Sequence, residues 1–324
     1  MQVAAGDFEA ILRTAKKALI IGVGGGGDIV GTSPTARFLE LFGIGCVLGG
    51  LSWERFVYDP QPGTRILAEV TQARALAPTV WLANAQTTTA NGIRFAESDV
   101  AGFYDTETLM IDLSQGTPGV VAGLRTAMRE LEADLLVGID VGGDSLATGS
   151  EPGLRSPLAD AIMLAALHQL QDDYACVWGV FGYGSDAELT PQEIDQALST
   201  VAAHGGLLGA WGMTPAITAE LQRVISHVRT EASAIAVACA QGAFGTQTIR
   251  GGTRTVPLSP VCTVTFYLSP GILFKHVATL AQAVCHATSL QAASSLIENL
   301  GVRSEYAFEQ AMWARGAQHY GDAV

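Results

Sequence analysis

Short apolar runs alternate with amphipathic segments over the first two thirds of the chain. The apolar runs have the pattern of buried strands and occur at 18–25, 45–50, 79–84, 108–116, 135–140 and 175–182. Helical patterns occur at 7–16, 36–43, 118–134 and 156–171, and Thr190–Glu193 has the spacing of a capping box that begins another helix. This alternation predicts an α/β protein with a Rossmann-like, mainly parallel, doubly wound sheet.

The last third of the chain has a different pattern. It predicts one long helix or two at 215–241, a β-hairpin at 246–258 that turns at Gly251–Gly252, a strand at 262–268, and helices at about 271–299 and 304–316. No Pro/Ser-rich linker or run of charge separates the two parts. We therefore expect a single α/β domain over 1–324, with a C-terminal β-hairpin and helical addition from about residue 215.

The charge balance narrows the class of partner. The 324 residues carry 18 basic and 31 acidic side chains, for a net charge of −13, and charged residues make up only 15% of the chain. Nucleic acids and anionic membrane surfaces need a basic footprint, so we expect neither as a partner. A small anionic molecule in a locally positive pocket is compatible with the charge. All but three of the basic residues are arginines, which favours bidentate anion recognition over lysine chemistry.

Cysteines and long uncharged segments bear on the compartment. The five cysteines lie far apart without a C-x-x-C pair, which argues against a structural zinc site and fits a reducing cytoplasm. Acids precede the first apolar run, unlike in a signal peptide. Residues 196–219, 255–274 and 276–297 lack charge but are interrupted by Pro, Gly, Ser or Thr. We expect buried elements, and in part the interface of a homo-oligomer, rather than membrane spans.

A glycine-rich loop follows the first predicted strand. Gly22, Gly24 and Gly27 form G-x-G-x-x-G, and six glycines lie between 22 and 31. Such a loop brings backbone N–H groups to an anion at a helix N-terminus, whereas the alternative is a tight turn without a ligand. The predicted ligand-binding residues here are Gly24, Gly25, Gly26, Gly27, Asp28 and Thr32. Asp28 is equally compatible with a simple helix cap.

The segment 138–160 has the richest chemistry. Asp140 ends an apolar strand and Asp144 follows two glycines, so the two carboxylates are predicted to face one space and to bind Mg²⁺ or Mn²⁺ or move protons. Arg155 is predicted to offset developing charge, and Ser145 to contact the ligand. Asp160 is interpreted as a surface or first-turn charge.

Further candidates lie outside these two loops. Asn84 follows a strand and is predicted to hold sugar or phosphate oxygens. Arg250 and Arg254, on the hairpin, are predicted anion clamps, and one of them or Arg229 is expected to pair with Glu231. Asp186 and Glu188, in a glycine-rich turn, are interpreted as solvated.

Three segments together resemble a known family. GVGGGGDIVGT (22–32), GIDVGGDSLATGSEPGLRSPLAD (138–160) and FGYGSDAELT (181–190) are similar to the family catalogued as domain of unknown function 1152. The resemblance covers most of the chain and implies no established activity, so it assigns no role to any residue.

These features favour an enzyme that acts on a small phosphorylated or nucleotide-like molecule by divalent-metal-assisted hydrolysis or group transfer. One alternative is a nicotinamide or flavin oxidoreductase that uses the glycine loop. It lacks an acid at the expected distance after the second strand, where Glu54 comes late. The other alternative is a non-catalytic ligand-binding subunit.

Overall fold

A mixed β-sheet forms the centre of the protein, in a computed structural model that describes residues 8–316. The strands in this range are β1 (Lys17–Gly22), β2 (Gly45–Leu51), β3 (Val70–Ala77), β4 (Val80–Thr89), β5 (Thr108–Ile111), β6 (Leu135–Val141), β7 (Ala175–Phe181), β8 (Leu207–Gly212), β9 (Gly245–Ile249), β10 (Arg254–Leu258) and β11 (Val264–Leu268). Nine of them form the sheet in the order β3-β4-β5-β2-β1-β6-β7-β11-β8, and β9 and β10 pair separately.

Helices cover both faces of this sheet. Within the described range they are α1 (Phe8–Thr14), α2 (Thr32–Glu40), α3 (Ala96–Tyr104), α4 (Gly116–Glu130), α5 (Pro157–Leu170), α6 (Pro191–Ala203), α7 (Pro215–Val224), α8 (Ala232–Ala240), α9 (Pro270–His276), α10 (Thr279–Val284), α11 (Leu290–Asn299) and α12 (Glu305–Ala314). Not one of these helices combines the length and the apolar character that crossing a bilayer requires.

The five central strands are parallel, which confirms the predicted α/β class with a mainly parallel core. From β1 the chain moves outward to β2 and then β5, and it then crosses to β6 and β7 on the other side of β1. The direction of winding reverses between β1 and β6. At such a point the loops at the carboxyl ends separate and leave a crevice.

The outer strands are antiparallel, which the sequence pattern did not indicate. β4 pairs with β5 in antiparallel register, with Ala83 opposite Thr108. β3 forms an antiparallel hairpin with β4. Only two residues join β3 to β4, whereas a parallel connection needs about a dozen. On the other side β11 is antiparallel to both β7 and β8. The C-terminal third therefore completes the central sheet and is more than an addition to it.

Alternate residues of the strands point into two apolar layers. Leu19 and Ile21 of β1 face the layer that contains α4, α5 and α10, whereas Ala18 and Ile20 face α1, α2, α7 and α8. Helix α5 is buried along nearly its whole length because α4, α9 and α10 pack around it. Residues 276–297 contain α10 and most of α11, which pack against α5. This packing explains why the segment lacks charged residues.

Several local predictions are confirmed, and others need correction. Thr190 and Glu193 form the capping box of α6, and the hairpin turns at 250–252 as predicted. The segment 215–241 is two helices, and 271–299 is divided into three. Strands β3 and β8 and helix α3 were not predicted, because their apolar and polar positions follow neither period clearly.

The start of α2 packs closely against two central strands. A Cβ on Gly31 would overlap Val141 Cγ2 and lie 3.2 Å from Phe181 Cδ1, at a position whose φ of −67° suits any residue. We expect Gly31→Ala to lower the free energy of unfolding by about 1–3 kcal/mol, the usual effect of overpacking a filled core. Chemical denaturation measures the change. Gly45→Ala is the control, since its nearest neighbour is Lys16 O at 3.8 Å. Equal stability of the two variants would contradict this packing.

Candidate functional site

Two loops at the carboxyl edge of the sheet carry most of the candidate chemistry. Asp140 is the penultimate residue of β6, and Gly142 and Gly143 follow with φ values of +134° and +117°, which turn the chain back over the strand end. Gly143 N donates to Asp140 Oδ1 at 3.0 Å, and Ser145 N donates to Asp140 Oδ2 at 3.1 Å. Asp140 therefore fixes the loop that presents Asp144.

The predicted ligand contact Ser145 lies inside this network. Its hydroxyl donates to Asp140 Oδ2 and accepts a hydrogen bond from Trp178 Nε1 at 2.9 Å. Ser145 thus links β6 to β7 and helps to orient the Asp140 carboxylate.

The loop after β7 crosses the loop after β6. Gly184 N donates to Gly142 O at 2.6 Å, and a Cβ on Gly142 would overlap Asp186 Cγ. The absence of a side chain at 142 therefore leaves the space that the Asp186 carboxylate occupies. Asp186 and Glu188 are buried, which corrects the interpretation of this turn as solvated.

Five buried carboxylates meet where these loops contact the first turn of α5, and we call them the acidic centre: Asp140, Asp144, Asp160, Asp186 and Glu188. Carboxylate oxygens of Asp140, Asp144 and Asp160 lie within 4.8 Å of one another, and so do those of Asp144, Asp186 and Glu188. Asp144 belongs to both groups. The structure thus brings the predicted pair Asp140 and Asp144 together and adds three acids that the sequence did not select.

Two of these acids have oxygens without a partner. Asp160 is 1% exposed, and neither of its carboxylate oxygens has a hydrogen-bond partner among the described residues. Asp186 is 5% exposed; its Oδ1 accepts from Glu188 N at 3.1 Å, but its Oδ2 has no partner there. Asp160 lies in the first turn of α5, as one interpretation proposed, but inside the protein. A buried carboxylate without a partner is costly unless it takes up a proton or a cation.

The ionisation of the acidic centre is strongly perturbed. Burial raises the pKa of Asp140 to about 6, and Glu188 adds to this shift. Burial also raises the pKa of Asp144, Asp160 and Asp186 well above the ordinary range, and the negative charges of neighbouring carboxylates, Asp140 and Glu188 among them, raise it further. Each of these three carboxyl groups therefore holds its proton more tightly than an exposed carboxyl group does, and a positive charge placed beside it would oppose this shift.

Arg254 is the arginine that the structure brings to this centre. Its Nη1 lies 2.9 Å from Glu188 Oε1 and 3.0 Å from the carbonyl oxygen of Asp186, and its side chain is 24% exposed. The hairpin of β9 and β10 thus places a partly exposed guanidinium in contact with the acidic centre.

The other two predicted arginines have different neighbours. Arg155 is exposed, and its Nη1 donates to Pro152 O and Leu154 O, while its backbone N donates to Glu188 Oε2 at 2.7 Å. Arg250 lies 3.4 Å from Glu231, the pairing expected for that glutamate. Neither guanidinium contacts the acidic centre.

The glycine-rich loop forms a short 3₁₀ helix, Gly26–Gly31, that is enclosed by protein. Gly24 N donates to Asp28 Oδ2 at 3.1 Å, and Gly26 N donates to Trp53 O at 2.8 Å. A Cβ on Gly27 would lie 2.5 Å from Arg229 O. This differs from the predicted anion-binding loop, because two of its amides are already engaged.

Asp28 extends the acidic centre toward this loop. A Cβ on Gly24 would lie 2.6 Å from Asp28 Oδ2 and 3.4 Å from Asp160 Oδ2, so the two carboxylates flank Gly24, which is exposed. Burial raises the pKa of Asp28 to about 7, Arg55 opposes the shift, and Asp140 adds to it.

Gly25, with φ of +76°, packs against Trp53 O. Thr32 is buried, and its hydroxyl donates to Ile29 O of the same loop at 2.6 Å, so this donor is already engaged within the chain.

Asn84 lies at the opposite edge of the sheet. Asn84 lies within β4, and β4 runs antiparallel to β5. The part of β4 that contains Asn84 therefore lies at the amino ends of the parallel strands, where Ala83 pairs with Thr108. There Asn84 Nδ2 donates to Gln72 O at 3.0 Å, and Asn84 N donates to Thr87 Oγ1 at 2.9 Å. The structure does not bring Asn84 to the acidic centre.

Two glutamates of α12 support the site from far along the chain. Glu305 accepts hydrogen bonds from Leu158 N at 3.0 Å and Ala159 N at 2.8 Å, and it thereby caps α5 close to Asp160. Glu309 accepts from Gly63 N at 2.9 Å and from Trp53 Nε1. No local pattern marks them, because their partners lie more than 140 positions away.

A small cavity adjoins the acidic centre. Its volume is about 10 Å³, which is room for roughly one water-sized probe. Asp144 and Ser145 form its polar wall, and the other lining residues are Ala147, Pro157, Ala161, Ala278, Leu280 and Ala281.

The ionisation of Glu309 predicts a pH dependence of stability. Burial raises its pKa from 4.5 to about 8, with a further contribution from Glu305. The contribution of this group to stability is fully present below pH 4.5, where it is neutral in both states, and is lost as the pH rises through about 8. Glu309→Gln mimics the neutral acid, so we expect it to match wild type at pH 4.5 and to be more stable at pH 8, by up to about 1.4 kcal/mol per unit of pKa difference.

Thermal unfolding of the metal-free protein across this pH range measures the effect. Glu298→Gln, at an exposed position, is the matched control and should follow wild type. Parallel profiles for wild type and Glu309→Gln would contradict the assigned burial of charge.

No curated protein and no solved structure matches the chain. The sequence profile of one family, described as "Protein of unknown function (DUF1152)", matches residues 19–313, which is most of the chain and includes the acidic centre and the glycine-rich loop. The resemblance seen in the sequence motifs is thereby confirmed, and the chain belongs to this family.

Proposed function

We propose that the protein is a divalent-cation-dependent enzyme that hydrolyses, or transfers a group on, a small phosphorylated or nucleotide-like molecule. The observation that carries this proposal is the Asp160 carboxylate, buried without a hydrogen-bond partner among the described residues and facing Asp140 and Asp144. A cation bound by these three residues would compensate a charge that the fold otherwise leaves unmatched.

The donor set favours Mg²⁺ or Mn²⁺. All ligands offered by Asp140, Asp144 and Asp160 are carboxylate oxygens, which hard divalent cations prefer, whereas zinc and iron sites favour His or Cys. The hydrogen bonds to Asp140 hold its carboxylate in place, and they leave one lone pair, on Oδ1, for a cation because Oδ2 already accepts two hydrogen bonds from Ser145. A cation here would polarise an oxygen of the substrate and lower the pKa of a bound water.

The position in the fold supports a small-molecule substrate. The strand order β5-β2-β1-β6-β7 is consistent with a Rossmann-like sheet, in which ligands bind at the carboxyl ends near the reversal between β1 and β6. Asp28 and Asp140 end up on the two sides of this reversal. We propose that Asp28 contacts a hydroxyl or the cation, and that exposed Gly24 marks the approach to the centre.

The anionic part of the substrate is assigned to Arg254. Its guanidinium lies at the acidic centre and is partly open to solvent, so it is able to neutralise a phosphate that approaches a bound cation. A nicotinamide or flavin oxidoreductase has less support, because Gly24 N and Gly26 N already donate within the chain. The five free cysteines are compatible with a cytoplasmic location, which we also propose.

Binding of Mg²⁺ or Mn²⁺ tests the proposal directly. We expect either cation to raise the melting temperature of the metal-free protein, with a stabilisation of about 2.7 kcal/mol at a concentration 100 times Kd. Asp160→Asn should lose most of this response, yet be as stable as wild type or more stable without metal, because a buried charge has been removed. Differential scanning calorimetry measures both effects.

The exposed Asp172 provides the matched control, and Asp172→Asn should respond to metal like wild type. A wild-type protein that binds neither cation would overturn the proposal. A full response in Asp160→Asn would mean that the cation binds elsewhere.

For the catalytic step, we expect metal-dependent phosphate release from a panel of small phosphate esters and nucleotides, and its loss in Asp144→Asn.

A further inference from the structure

The acidic centre contains more negative charge than one cation neutralises. Five carboxylates and the single guanidinium of Arg254 amount to four net negative charges when all are ionised. One divalent cation leaves two of these charges without compensation in a buried site, where such charge is most costly. Two divalent cations cancel these four charges while Arg254 remains at the centre, and they leave one negative charge once Arg254 withdraws.

A second group of ligands lies beside the first. Carboxylate oxygens of Asp144, Asp186 and Glu188 approach within 4.8 Å of one another, in a group that shares Asp144 with the first. Independently of this proximity, Asp186 Oδ2 is buried without a hydrogen-bond partner among the residues described. Asp186 is therefore the second residue of the acidic centre, after Asp160, that has a buried carboxylate oxygen without a hydrogen-bond partner in the described range.

From this geometry we propose a second divalent-cation site, formed by Asp144, Asp186 and Glu188, with Asp144 as the carboxylate that bridges the two cations. The inference rests on the proposed function, since it extends the same centre. It narrows the substrate class to phosphate esters and phosphoanhydrides, because paired cations about 3.5–4 Å apart stabilise the attacking and leaving oxygens of an in-line displacement at phosphorus.

The chemistry balances with water as the only co-substrate. In ester hydrolysis, the water oxygen forms the new bond to phosphorus and the ester P–O bond breaks. A proton of the water passes through a carboxylate of the centre to the leaving oxygen. Ester and water thus give alcohol and phosphate, and no oxidant or reductant is required.

Arg254 competes for the second site. Glu188 accepts hydrogen bonds from Ser156 N, Ser156 Oγ and Arg155 N as well as from Arg254 Nη1, so a cation reaches its Oε1 only when the guanidinium withdraws. We therefore expect the second cation to bind more weakly than the first. The arginine that it displaces is then free to bind the substrate phosphate.

Titration of the metal-free full-length chain with Mn²⁺ tests the inference. Calorimetry should give two ions per chain, and low-temperature electron paramagnetic resonance should show exchange coupling between them. Asp186→Asn should bind one ion, lose the coupling and keep the first, tighter site. Arg254→Gln should bind the second ion about tenfold more tightly, because the competing positive charge is absent. Asp172→Asn should behave like wild type.

The outcomes separate this inference from the proposed function. One ion per chain in wild type, lost in Asp160→Asn, would overturn the second site and leave the proposed function intact. No ion at all would overturn both. Two uncoupled ions, both retained in Asp186→Asn, would place the second ion elsewhere and overturn the inference. Should Asp186→Asn fail to fold, Arg254→Gln decides: an unchanged second affinity overturns the proposed competition and with it the site.

Discussion

Burial of several carboxylates in one place is the constraint on which the rest of this structure depends. The carboxylates of Asp140 and Glu188 are stabilised by hydrogen bonds from backbone and hydroxyl donors. Glu188 also accepts a hydrogen bond from the guanidinium of Arg254. Both carboxylate oxygens of Asp160 and Oδ2 of Asp186 have no such partner among the described residues, and burial raises the pKa of Asp144, Asp160 and Asp186. A buried carboxylate without a partner destabilises the fold when it is ionised, and the proposed cation would offset that cost.

Long-range contacts hold these carboxylates at their positions. The first turn of α5 is fixed from one side by Glu188, which binds Ser156, and from the other by Glu305 of α12. The loops after β6 and β7 are joined by the hydrogen bond from Gly184 to Gly142. The C-terminal helix and hairpin are therefore parts of the site, because they supply the cap of α5 and the only guanidinium that contacts the acidic centre within residues 8–316.

The glycine-rich loop illustrates how one sequence pattern serves a different physical purpose. Its glycines allow close approach of Trp53 and Arg229, and Gly24 N donates to the carboxylate of Asp28. The anion at this helix start is thus a side chain of the protein. The loop places the Asp28 carboxylate next to Gly24 and close to Asp160 of the acidic centre, and the proposed anion-binding role is assigned to Arg254.

The sequence by itself determined the elements whose signals are local. The alternation of apolar runs and amphipathic segments gave the α/β class, the Thr190–Glu193 spacing gave a helix start, and the two glycines before Asp144 indicated a loop that folds back toward Asp140. Only the tertiary structure decided which edge of the sheet each loop occupies and which charges are buried. Asn84 lies at the far edge because β4 pairs antiparallel with β5, and Asp160, Asp186 and Glu188 are buried because α5, the β7 loop and the hairpin pack over them. Periodicity and turn chemistry depend on neighbouring residues, whereas strand direction and burial depend on pairings between residues far apart in the chain.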